Sequence, residues 1–67
     1  MMENETETML KEDYEFEYAK AKGTLIEVRQ NGLKIYPIGK ITAYSSDHVA
    51  IEGKKLLRVA NEFYVVE

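Results

Sequence analysis

The chain has no cysteine and no tryptophan, and only one histidine and one proline in 67 residues. Without cysteine there is no disulfide to brace the fold and no thiolate to act as nucleophile or metal ligand. A lone His48 cannot supply the nitrogen ligands of a structural zinc site, so no metal is expected. Long apolar runs are missing too. The longest unbroken one is Phe63-Tyr64-Val65-Val66, far short of the roughly 20 residues that cross a bilayer as a helix. The first residues are acidic and lead into no apolar stretch, so a secretory signal is not expected. These absences point to a soluble, cytoplasmic chain of one domain. A domain this small buries only about 60% of the surface its unfolded chain exposes, so its core must be thin.

What is present is unevenly distributed. Residues 1–17 hold seven acids against Lys11, a net charge of −6, whereas residues 18–67 hold eight bases against five acids, a net charge of +3. An acidic arm on a mildly basic body either keeps the domain soluble or competes with an anionic ligand for that body. Residues 1–12 read as an acidic flexible tail and residues 13–67 as the folded domain.

Two periodicities compete over residues 9–22. Tyr14, Phe16 and Tyr18 alternate with Glu15 and Glu17, the period-two pattern of a half-buried strand. Leu10, Tyr14, Tyr18 and Ala21 instead fall at helical spacing, with acids ahead, Lys20 and Lys22 behind, and Gly23 placed to end a helix. The three alternating aromatics favour the strand. From residue 24 the pattern is β throughout. Thr24–Arg29 is followed by Asn31-Gly32, a hairpin signal because both central residues of a type I′ turn need positive φ. Leu33–Ile38 returns as a strand whose Pro37 end belongs at an edge or bulge. Lys40–Tyr44, Val49–Ile51, Leu56–Val59 and Phe63–Val66 follow, separated by short polar turns. That makes six strands, or five if those flanking Pro37 and Gly39 run together. A flat sheet of this composition would leave one face of Ile, Val and Leu uncovered, so the expectation is closure into a small all-β barrel.

Asn31-Gly32, followed by Gly39, Ile41, Tyr44, Val49 and Ile51, resembles the first motif of the Sm family, which includes bacterial Hfq. The resemblance spans about 35 residues and implies a ring-forming RNA binder. The chain departs from the family in three places. Gly32 and Gly39 stand further apart than is usual there. Asp47 comes later after Tyr44, with Ser45 next to it. The second motif appears only as Leu56-Leu57-Arg58-Val59, with no Lys-His pair. The break at residues 60–62 before the last strand is equally similar to Src-homology-3-like barrels, and both layouts stay open.

No catalytic residue is assigned. His48 lies beside Asp47 and behind Ser45 and Ser46, but the four sit in a turn that lacks a strained nucleophile elbow and paired oxyanion donors. The glycines are isolated turn residues rather than a phosphate-binding loop, and no cofactor is implied. The expected function is a non-enzymatic regulatory binding module. Lys34, Tyr36, Lys40, Lys54, Lys55 and Arg58 are the candidates for contact with RNA or single-stranded nucleic acid, which needs cations for phosphate and planar groups for stacking. The alternative is a protein-interaction or inhibitor module of phage or mobile-element type. It would use Tyr14, Phe16 and Tyr18 as a strand able to pair with a partner protein or, as a homo-oligomer, with a second copy.

Overall fold

The computed structural model describes residues 8–66. Residues 1–7 of the expected acidic tail lie outside the described residues. The domain begins earlier than the sequence pattern implied: Met9–Leu10 forms a short strand, β1, and Leu10 is buried.

The strand expected over Tyr14–Tyr18 is instead part of a helix, α1, spanning Asp13–Lys22. The Glu15 carboxylate reaches back to accept the backbone N–H groups of Lys11 (2.7 Å) and Glu12 (2.8 Å), satisfying donors that the helix start leaves orphaned. Asp13 and Glu15 in the first turn and Lys20 and Lys22 in the last complement the helix dipole. Gly23, at φ +69°, takes the left-handed conformation that stops the helix; its N–H donates to the Lys20 carbonyl and that of Thr24 to the Ala19 carbonyl. The aromatic alternation fits this helix as well. At about 100° per residue, Tyr14 and Tyr18 fall on one side and Phe16 on nearly the opposite one. A strand would have put all three on one face.

The backbone donors from Glu12 and Lys11 hold the Glu15 carboxyl below the usual carboxylate range. Its contribution to the helix start is therefore present above the ordinary Glu pKa and lost as pH falls through the lowered value.

Six strands follow: β2 (Leu25–Gln30), β3 (Leu33–Lys34), β4 (Gly39–Tyr44), β5 (His48–Ile51), β6 (Lys54–Leu57) and β7 (Glu62–Val65). All pairings are antiparallel, in the order β1-β7-β2-β4-β5-β6, with β3 folded onto β2. The turn between β2 and β3 is the one expected, with Asn31 at φ +52° and Gly32 at φ +81°. The strand expected over Leu33–Ile38 ends at Lys34, since Pro37 has no N–H to offer a ladder. Gly39 allows a close approach. A Cβ there would lie 2.6 Å from Glu52 Cγ and 3.0 Å from Ile51 Cγ2, so any other residue would have to displace those side chains of the β5–β6 hairpin.

The sheet is open. Its end strands, β1 and β6, do not pair with each other, and the closed barrel expected from the sequence is not formed. The reason is α1. The apolar face that a closed barrel would bury is covered by the helix instead. Ile26, Val28, Val49, Leu56 and Phe63 project from the sheet, while Phe16 and Ala19 descend onto them from α1. The Phe16 ring is 1% exposed and meets Phe63 edge-on at a centroid distance of 5.6 Å. On the opposite face of the sheet, Glu27 is buried against Arg29 and Lys34, and the Arg29 guanidinium lies 4.1 Å from the centroid of Tyr64. A buried carboxylate is tolerated because cations pair with it.

Truncation of Phe16 removes the element that seals this core. Phe16→Ala is expected to cost about 3–5 kcal/mol, comparable to the whole stability of so small a domain. Tyr14→Ala, two residues away on the exposed side, should shift stability by no more than about 0.5 kcal/mol. Urea denaturation followed by circular dichroism checks both. A Phe16→Ala chain that melts like the parent contradicts a core built under the helix.

Candidate protein-docking groove

The residues proposed for nucleic acid do not converge on one surface. Arg58 is withdrawn into the fold, its side chain only 15% exposed. Its Nη1 donates to Asp13 Oδ1 (2.7 Å) and to the Ser45 carbonyl (2.7 Å), and its Nη2 donates to the Lys11 carbonyl (2.8 Å). The guanidinium carbon stands 4.5 Å from the Phe16 ring centroid. Three of its five N–H donors tie three segments together, so contact with phosphate would compete with these bonds. Charge is visible in a sequence while its partners, distant along the chain, are not.

The other cations divide. Lys34 Nζ is 3.6 Å from Glu27 Oε1. Lys54 Nζ lies 5.6 Å from the centroid of Tyr36, itself half-buried against the core beside Pro37 and Ile38. The Lys40 backbone N–H donates to Glu52 Oε2 (2.9 Å), while its side chain lies beside Gly23 at the end of α1. Lys55 points to the other face, opposite Ala50 and near His48. The Ser45–His48 segment is a turn in which Ser45 Oγ accepts the N–H groups of Asp47 (3.3 Å) and His48 (3.1 Å). Among the described residues, no group of three His, Asp or Glu side chains is close enough to hold a metal.

The protein-binding candidates also separate. Phe16 is core and unavailable to a partner, whereas Tyr14 and Tyr18 are 72% and 65% exposed, one turn apart on α1. They form one wall of an open groove of about 630 Å³ between α1 and the β1 end of the sheet. Its floor is Leu10, Ala19 and Val65, with Thr8 and Thr24 on the rim and Glu15 at the start of the helix. Lys22 lies over the Tyr18 ring, 5.5 Å from its centroid. On the far flank of α1, Tyr44 donates its hydroxyl to Glu17 Oε1 at 3.0 Å. That hydrogen bond pushes the Tyr44 pKa above its usual value. The stability it adds is present below the ordinary tyrosine pKa near 10 and lost as pH rises through the raised one. The contact pins the helix on that side and leaves the groove open on the other.

The sequence carried one signal for the groove, the i, i+4 spacing of Tyr14 and Tyr18. It could be used only once the segment was known to be a helix. No family model, curated protein or solved structure matches the chain.

Arg58 gives a direct check on this assignment of roles. Arg58→Lys keeps the charge but cannot reach Asp13, Ser45 and Lys11 together. It should lower stability by about 1–3 kcal/mol, with Lys55→Ala close to neutral in the same urea titration. Equal effects of the two substitutions would contradict the distinction drawn between them.

Proposed function

We propose that the chain is a non-enzymatic binding module that docks a partner protein in the groove between α1 and β1. The observation that carries this reading is the pair of exposed tyrosines, Tyr14 and Tyr18, over an apolar floor. Tyrosine is favoured at such sites because its ring supplies area with few torsions to freeze, while its hydroxyl stays satisfied by water or a partner. An apolar concavity with few polar groups is the usual form of a binding site. The meander β4–β5–β6 and the return of β7 beside β2 support a layout of the Sm or Src-homology-3 kind, with β1 added at one edge. A photo-crosslinking residue placed at position 14 in the producing cells should give a discrete adduct with a second protein, while the same residue at exposed Lys20 should not. An adduct of twice the chain's own mass would make the groove a self-association surface instead. No adduct at all rejects the reading.

A second reading rests on the Lys54 ammonium over Tyr36 at the tip of the β5–β6 hairpin. It assigns that hairpin tip to single-stranded nucleic acid, through stacking and phosphate contact. Binding of a mixed-sequence oligonucleotide should then weaken steeply with salt, and Lys54→Glu should abolish it. A flat titration at low salt removes this reading.

A further inference from the structure

We infer that the groove takes an extended partner segment as an added strand on β1, and that this segment carries aliphatic side chains on one face and Lys or Arg on the other. The inference rests on the protein-docking reading and specifies how the partner is held.

The backbone supplies the first argument. The Val65 N–H donates to the Thr8 carbonyl at 2.9 Å, in register with the pairs Met9↔Tyr64 and Leu10↔Phe63. In an antiparallel ladder, hydrogen-bonded and non-hydrogen-bonded pairs alternate. Thr8 and Leu10 therefore turn their backbone groups towards β7, and Met9 turns its N–H and C=O away from it. β1 ends the strand order, so among the described residues no strand receives those two groups. They lie on the outer edge of β1, the strand whose Thr8 and Leu10 line the groove. A strand laid against Met9 would direct alternate side chains to the face on which Leu10 is buried. That face lies beneath α1, where Tyr14 and Tyr18 stand exposed.

The two edges of the sheet also differ. The β6 edge is blunted. It presents Lys55, a residue type that discourages edge pairing, and its outward Leu57 carbonyl already accepts the Asn61 Nδ2 donor at 2.8 Å. Among the described residues, Met9 has neither protection.

Charge selects the partner. The one charged residue lining the groove is Glu15, and the described residues 8–17 hold four acids (Glu12, Asp13, Glu15 and Glu17) against Lys11, a net charge of −3. Glu12 is exposed at the Leu10 end and Glu15 is held in its ionised form there, while Asp13 is paired with Arg58 and the Lys22 cation stands over Tyr18 at the other end of the groove. An acidic segment would be repelled, whereas Lys or Arg side chains on the solvent face of an added strand would be attracted.

The test is a selection from a displayed random peptide library on the full chain, with counter-selection on the Tyr14→Ser/Tyr18→Ser chain. Enriched peptides should alternate aliphatic residues with Lys or Arg. Methylating the backbone nitrogens of one alternate set of residues should weaken binding about tenfold, and methylating the other set should leave it unchanged. Acidic or helix-periodic winners overturn the inference, and so does equal tolerance of both methylation patterns. In those cases groove-dependent peptides still bind, and the docking reading survives. If no peptide depends on Tyr14 and Tyr18, both fail.

Discussion

The architecture depends on the packing of one ring. Phe16 fills the space between α1 and the sheet, edge-on to Phe63 and beside Tyr44, with the Arg58 guanidinium laid over it. An open sheet with an apolar face is unstable in water until something covers that face. Here the cover is a ten-residue helix with only two buried side chains, Phe16 and Ala19. Arg58 compensates for that narrow footing. It bonds to the segment before α1, to its first residue and to the β4–β5 turn, so that the helix, the sheet and the approach to β7 meet at one cation. A guanidinium suits this place because its planar fork serves several acceptors at once while its face packs on an aromatic ring.

This economy shapes what is left for function. A thin core cannot take in every aromatic side chain, and the tyrosines on the outer side of α1 are the surplus. Because Glu17 and Tyr44 fasten one flank of the helix, the opposite flank, towards β1, is where the surface stays concave. The concavity therefore follows from how the helix is secured, and the same bonds that stabilise the fold decide where a partner can enter.

The β half of the fold was legible in the sequence because its signals are local. Asn31-Gly32 states its own turn, and the six strands after residue 23 follow from alternation bounded by turn residues. The helix was harder. Its determinants were in view as Glu15, Lys20, Lys22 and Gly23, but the alternation of Tyr14, Phe16 and Tyr18 satisfies both periods, and only tertiary packing decides which side the middle ring takes. Barrel closure failed as an expectation for the same reason: once residues 13–22 are a helix, the apolar face no longer needs a closed sheet. The site was least legible. Lys34 and Arg58 look alike in a linear reading, yet Lys34 stays exposed 3.6 Å from Glu27, while Arg58 is drawn in by Asp13, 45 positions away. Salt-bridge partners separated along the chain leave no pattern in composition or spacing.

The pairing of Thr8 with Val65 has a topological consequence. It brings the beginning and the end of the described chain side by side on neighbouring strands. A short linker joining the two would close the backbone into a circle without disturbing the ladder, and new ends could be opened at the Asn31-Gly32 turn, where both residues are exposed. Such a permuted chain would keep every strand neighbour, with its new ends at the tip of the β2–β3 hairpin and a covalent link where Thr8 now faces Val65.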